Sequence, residues 1–180
     1  MLMILKVCGM LLVVACTTSI GIAMAQALSR RVRELEGCIA LLTGMEGELS
    51  YSLAPPDEAV ARLEERESAQ EAPFLACGKG VPFLPACAAL CRKGTPFPQA
   101  WREAVAKQGG SLTREDAAIV EALADTLGQC DLDGQLSSLS HAKALLAMQL
   151  AAARERCESH GKLYRTMGLL AGAFVVVFFI

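Results

Sequence analysis

The chain is short of the residues that do chemistry and of those that build sheets. It has two histidines, His141 and His160, which leaves little general-base capacity, and no Ser/His/Asp or Cys/His arrangement stands out. Aromatic residues make up 5% of the 180 residues while Ala and Leu dominate, which favours helices over sheet. Acidic and basic residues nearly cancel at a net charge of −2, so there is no basic face to neutralise a row of phosphates and nucleic acid is excluded. Gly78-Lys79-Gly80 lacks the G-x-x-x-x-G-K-[ST] spacing and the preceding strand of a phosphate loop, and reads as an ordinary loop. No catalytic residue and no cofactor is expected.

Cysteine is plentiful, but its spacing is uninformative. None of Cys8, Cys16, Cys38, Cys77, Cys87, Cys91, Cys130 and Cys157 forms a Cys-x-x-Cys pair, and two fall inside an apolar N-terminal run. They read as reduced, small apolar residues rather than a disulfide frame. Cys87 and Cys91 share one helical face, and Cys157 and His160 another, so a zinc site from two such pairs is conceivable. Their core positions favour packing, and no metal site is expected.

What the chain does have is a pair of greasy ends. Residues 7–27 form an apolar run of about 20 residues, the length a bilayer core requires. The run has three readings: a transmembrane helix, a signal peptide cut at Ala23-Met24-Ala25, or a loose lipoprotein box ending at Cys16. Arg30, Arg31 and Arg33 come after it, against Lys6 and the amino terminus before it, which favours an uncleaved helix with its N-terminus outside. At the other end, residues 167–180 carry no polar side chain. Fourteen residues rise about 21 Å as a helix against roughly 30 Å of hydrocarbon, so this span is short unless residues before it enter too. Lys162 and Arg165 precede it and place the middle of the chain in the cytoplasm.

Both apolar runs continue into amphipathic helices. Leu28, Val32, Leu35, Ile39, Leu42, Leu49 and Leu53 recur at spacings of four and three, with Glu46 as the polar exception. Leu132, Leu136, Leu139, Leu146, Leu150, Ala153 and Cys157 do the same, with Lys143 as the exception. Such 3.5-residue seams are buried most simply by pairing the two helices antiparallel. Counting inward from both ends brings Glu46 and Lys143 to about the same height. That suggests an ion pair, although outward snorkelling to solvent is the favoured expectation.

Between the long helices lie shorter ones. Pro55-Pro56 ends the first, and Asp57-Glu58 open a helix whose inner face is Ala59, Val60 and Leu63. Residues 64–80 read as a loop. Residues 82–93 carry a stripe of Leu84, Cys87, Ala88 and Cys91, stopped by Gly94. Thr95-Pro96 opens a helix with the face Phe97, Trp101, Ala104 and Val105, ended at Gly109-Gly110. Trp101 reads as core filling, with an interface anchor as the other role such a residue takes. Thr113 and Asp116 resemble a capping box ahead of Val120, Leu123, Ala124 and Leu127, which Gly128 stops. Asp131 is a good N-cap for the last helix. The expected fold is all-α, an up-and-down bundle of about six helices whose first and last long helices run into transmembrane segments. The expected divisions are 1–28, 29–166 and 167–180.

Several groups of residues, taken in order, carry a resemblance. They are Ser29-x-Arg31-Val32-x-x-Leu35, Glu46-x-Glu48-Leu49-x-Tyr51 with Pro55 and Glu58-Ala59, Ala100-Trp101-Arg102-Glu103, and Leu127-Gly128 with Asp131 and Gln135, before the final apolar helix. The chain thereby resembles the stage III sporulation protein AB family of endospore-forming bacteria. The resemblance implies a non-enzymatic subunit of the channel complex between mother cell and forespore. It implies a helical domain similar to the platform proteins of type II secretion and type IV pilus machines. It also implies a cytoplasmic secretion-type ATPase and other membrane subunits of the channel as partners. The site would be the mother-cell membrane around the forespore, multi-pass, with the lipid bilayer itself as a partner. Glu121, Asp125 and the polar faces of the short helices would then be docking surface, against the commoner role of charge in solubility. Two other classes remain: an exported or lipid-anchored protein processed near Ala25 or Cys16, and a metal or redox module built from the cysteines.

Overall fold

The computed structural model describes the backbone of residues 2–68 and 81–179 and the side chains of residues 16, 19–20, 22–67, 81–159 and 166–167. Gly78-Lys79-Gly80, the His160 side chain and most side chains of the two apolar runs lie outside the described residues. Six helices are described: α1 Leu2–Gly47, α2 Pro56–Ser68, α3 Leu84–Arg92, α4 Phe97–Gln108, α5 Arg114–Ala122 and α6 Leu132–Phe179. A π-turn, Glu48–Ser52, closes α1, and a 3₁₀ turn, Leu123–Asp125, comes after α5. No strand occurs among the described residues, so the chain is an all-helical bundle. Among the described residues no helix is long and apolar enough to cross a membrane.

The chain divides into two compact units, one of residues 1–32 with 152–180 and one of residues 33–151. In the smaller unit Ala25 and Ala153 are buried, the Ser29 hydroxyl donates to the Ala25 carbonyl at 3.1 Å, and the same hydroxyl lies 3.5 Å from Cys157 Sγ. Ile20, Ile22, Met24 and Met167 are exposed.

The larger unit holds the core. From α1 it takes Leu35, Cys38, Leu41, Leu42, Met45 and Leu49, and from α6 Leu139, Ala142, Leu146 and Leu150. The seam is therefore real, with two corrections. Cys38 and Met45 are buried beside the seam positions Ile39 and Glu46, which are half-buried, because neighbours on more than one side bury a face wider than a 3.5-residue seam. Leu53 is 72% exposed and outside the seam, because the wider π-turn shifts the register at its end. Glu46 and Lys143 point at each other after all: the Lys143 ammonium donates to Glu46 Oε2, with both side chains part-buried. The favoured snorkelling does not occur, since a partner within reach satisfies both charges without full desolvation.

The short helices form as their apolar faces require. Ala59, Val60 and Leu63 of α2, Leu84, Cys87 and Ala88 of α3, and Phe97, Ala100, Trp101, Ala104 and Val105 of α4 are buried, and α3 packs against both α2 and α4. Trp101 sits at the centre as core filling. Its Nε1–H donates to the Val120 carbonyl at 2.7 Å, Phe83 meets it edge-on at 5.4 Å, and Phe97 lies 5.5 Å away. The polar edge of the indole is thus satisfied inside the core. Two boundaries differ from expectation. Residues 64–68 continue α2 rather than begin a loop, because their charges lie on a face with partners: Arg66 with Glu48, and Glu64 with Arg92. The helix expected to reach Leu127 tightens to 3₁₀ after Ala122, although Val120, Leu123, Ala124 and Leu127 are all buried as expected.

The turns obey local chemistry. Thr113 and Asp116 form a reciprocal capping box: Asp116 Oδ2 accepts from the Thr113 N–H at 2.9 Å, and Thr113 Oγ1 accepts from the Asp116 N–H at 3.3 Å. Asp131 Oδ1 accepts from the Gly134 N–H at 3.2 Å, as an N-cap does. Glu34 of α1 accepts the Ser111 N–H, and this places the α4–α5 turn against α1. At that turn Gly110 has φ +64, and a Cβ there would lie 2.6 Å from Glu34 Oε2. Replacing Gly110 by Ala is therefore expected to destabilise the fold by about 1–3 kcal/mol in chemical denaturation. Gly47→Ala, helical and facing open space, should stabilise it by about 0.5–1 kcal/mol. A double-mutant cycle with Glu46→Ala and Lys143→Ala is expected to show a favourable coupling of about 1 kcal/mol, the size a part-buried pair supports; a coupling of zero would show that the pair contributes nothing.

The core thiols generate a pH dependence. Burial first, then the nearby Glu34 and Asp116 charges, push the Cys38 thiol from about 9 up to about 12, and burial raises Cys87 as well. Between those values the unfolded chain releases the Cys38 proton while the folded chain keeps it, so stability falls as pH rises through the window from about 9 to about 12. Denaturation midpoints of Cys38→Ala measured across that window should show a shallower alkaline loss than the parent.

Candidate functional site

The site is built where α1 gives way to α2. Helix α1 arrives with Met45 and Leu49 in the core, and Pro55-Pro56 forbids its continuation. The backbone widens into the π-turn at Glu48–Ser52, and Leu53 then takes a left-handed conformation at φ 48. A non-glycine residue there costs about 1–2 kcal/mol, so the conformation persists only where surrounding contacts hold it. The Ala59 N–H donates to the Pro55 carbonyl at 3.0 Å and begins α2.

The contacts that hold it converge on Glu48, one of two buried acidic side chains among the described residues. Arg62 Nη1 donates to Glu48 Oε2 at 3.2 Å, Arg66 Nη1 lies 2.8 Å from Oε1, and the Ser52 hydroxyl donates to Oε2 at 3.2 Å. One carboxylate thus joins two successive turns of α2 to the π-turn. Arg62 also donates to Glu58 at 2.6 Å, and these hydrogen bonds to Glu58 and Glu48 hold its guanidinium still more firmly protonated than usual. With the turn held from below, Tyr51 stands 92% exposed beside the exposed Leu53.

Other residues singled out in the sequence have structural roles. Trp101 is fully enclosed and cannot anchor a partner. Arg102 pairs with Asp125 across the exposed surface, which engages one of the two acids considered for docking, while Glu121 is half-buried. Leu127-Gly128, Asp131 and Gln135 make the α5–α6 corner. There the Gly128 N–H, at φ +77, donates to Gln135 Oε1 at 3.1 Å, Gln135 Nε2 donates to the Cys130 carbonyl at 2.8 Å, and Pro56 lies beneath Gly128. Cys87 is buried and Cys91 half-buried on α3, with both thiols raised, first by burial. Such thiols stay protonated at neutral pH and are poor nucleophiles and poor ligands. Among the described residues no three His, Cys, Asp or Glu side chains gather to hold a metal. A groove of about 430 Å³ runs between α5 and α6, lined by Ile119, Leu123, His141 and Leu145 among others.

The Glu48 cluster was not legible beforehand. Its available signal was Arg62 and Arg66 at i, i+4 on α2, but nothing in the spacing tied them to an acid 14 residues upstream.

The sequence has counterparts among known proteins. The family model for stage III sporulation protein AB matches residues 6–180. The stage III sporulation protein AB of Bacillus subtilis (strain 168) is 25% identical over 175 residues, covering 96% of this chain and 98% of that protein. No solved structure matches. The chain belongs to the stage III sporulation protein AB family, and its role is in sporulation.

Proposed function

We propose that the chain is a membrane platform: a non-enzymatic subunit of a secretion-like channel between mother cell and forespore, coupling a cytoplasmic ATPase to the membrane subunits of that channel. The observation that carries the reading is the build of the two long helices. Each has an apolar run at one end and, in the larger unit, a core-forming face at the other. Residues 1–28 and 167–180 would lie in the bilayer, and residues 29–166 would form the cytoplasmic helical domain. The exposure of Ile20, Ile22, Met24 and Met167 supports this, because large apolar side chains left uncovered beside apolar runs suit lipid better than water. The positive cluster Arg30, Arg31 and Arg33 supports the cytoplasmic side for the helical domain. A platform requires surfaces and rigidity rather than a reaction centre, and the Glu48 corner supplies both.

The test is affinity purification of the full-length chain from membranes of sporulating cells, with mass spectrometry of its amino terminus. The expected result is an N-terminus upstream of Lys6 and co-purification of the secretion-type ATPase with other membrane subunits. A chain beginning at Gln26, or carrying lipid on Cys16, overturns the platform in favour of an exported or anchored protein.

A further inference from the structure

We propose that the basic collar at residues 30–31 and 154–165, where the two long helices leave their apolar runs, binds the phosphate headgroups of anionic glycerophospholipids and so selects acidic lipid around the chain. That selectivity rests on the placement of residues 1–28 and 167–180 in the bilayer proposed above, and adds to it the class of lipid and the side chains that hold it.

Charge is divided unevenly along the chain. The smaller unit, residues 1–32 with 152–180, carries seven basic side chains and two acidic ones, whereas the larger unit, residues 33–151, carries ten basic and seventeen acidic. A chain of net charge −2 thus keeps its positive excess in the unit that holds the apolar runs. Lys6 precedes the first run. The other six basic residues of that unit lie on the inner side of both runs in the sequence: Arg30 and Arg31 just after residues 7–27, and Arg154, Arg156, Lys162 and Arg165 before residues 167–180. Glu155 and Glu158 leave this collar net positive. Such an imbalance attracts an anionic partner, and an anion met at the edge of hydrocarbon is a lipid headgroup.

The collar also has guanidiniums that the protein does not use. In the larger unit Arg62, Arg66, Arg92, Arg102, Lys107 and Lys143 each meet a carboxylate. Arg30 and Arg156 are exposed and, among the described residues, neither is in an ion pair. The two belong to one level of the smaller unit. The Ser29 hydroxyl lies 3.5 Å from Cys157 Sγ, Arg30 follows Ser29 and Arg156 precedes Cys157, so each starts about 1.5 Å along its helix from that contact. Arg30 is three residues past the end of the run at Ala27, about 4.5 Å along the helix, which falls within a headgroup layer roughly 5–7 Å deep.

The chemistry of the side chain then selects among lipids. A guanidinium donates two parallel N–H groups to phosphate oxygens and keeps its charge at every physiological pH. In a zwitterionic headgroup the ammonium cancels the phosphate charge and repels the same arginine. In phosphatidylglycerol the phosphate charge is uncompensated, so the collar discriminates by net charge at the phosphate.

The experiment places the purified full-length chain in phosphatidylcholine vesicles and measures, by electron spin resonance, how strongly spin-labelled phosphatidylglycerol associates with it relative to spin-labelled phosphatidylcholine. The parent chain is expected to prefer phosphatidylglycerol about fivefold or more, the scale that one basic residue near an anionic surface supplies. Salt at about 1 M, where the screening length is about 3 Å, should reduce that preference. The double variant Arg30→Gln with Arg156→Gln should bring it within about twofold, with the thermal midpoint unchanged because both side chains are exposed and out of ion pairs. Arg114→Gln, exposed on α5 in the larger unit, should keep the parent preference. Glycerol phosphate added to the water at millimolar concentration should displace no lipid; displacement would make the collar a site for soluble phosphate and overturn the lipid. Equal association of the two lipids with the parent chain, or a parent-like preference in the double variant, overturns the collar and leaves the membrane reading standing. A chain that alkaline carbonate washes out of the vesicles overturns both. Where the double variant loses its fold, the parent chain decides by salt: a preference that falls supports the collar, and one that salt leaves untouched overturns it.

Discussion

A carboxylate cannot be buried without partners, and at Glu48 that requirement connects the end of α1 to two turns of α2. Removing an ionised carboxylate from water costs several kcal/mol, which the two guanidiniums and the Ser52 hydroxyl offset only in the geometry found. The interaction therefore fixes direction more than it adds stability. Pro55-Pro56 sets where α1 stops, and the Glu48 contacts join that end to α2. The interaction also keeps residues 64–68 helical, since Arg66 reaches Glu48 only if α2 continues past Leu63. The rest of the larger unit is built outward from that start: α2 packs on α3, α3 on α4, and Pro56 of α2 lies beneath Gly128, where the chain turns into α6.

The core that this geometry encloses is made mostly of Leu, Ala and Val, with one aromatic group at its centre. Small residues allow close helix approach but contribute little apolar area each, and Phe83, Trp101 and Phe97 add large buried side chains to them. The cysteines Cys38 and Cys87 belong to this economy of volume. Each is fully enclosed and serves as a small apolar side chain. Their raised thiols are a consequence of that burial.

Most of the fold was legible in the sequence because it depends on periodicity and local chemistry. Ala59, Val60 and Leu63, the α4 face around Trp101, the capping box at Thr113 and the N-cap at Asp131 are decided by residues within a few positions of one another. The misses involve tertiary context. The burial of Cys38 and Met45 beside Ile39 and Glu46 required knowing that α1 is covered from more than one side. The 3₁₀ ending after Ala122 and the helical residues 64–68 depend on neighbours distant in sequence. The Glu46–Lys143 pair was visible as a matched height, but its formation over snorkelling was decided by two part-buried side chains already facing each other. The Glu48 cluster was illegible, since an acid in a sequence carries no mark of burial.

One group of departures is clustered, and its position is informative. Leu53 off the seam, the π-turn, the left-handed leucine and the buried acid all fall within residues 48–53, while the remaining turns obey ordinary rules: glycine at positive φ at 94, 110 and 128, and caps with their usual donors. Pro55-Pro56 bars regular helix through this stretch, so α1 ends on a left-handed residue, as helices often do, although the residue there is usually glycine. Within residues 48–53 backbone preference and burial disagree, and the Glu48 contacts to Arg62, Arg66 and Ser52 hold the turn in spite of that.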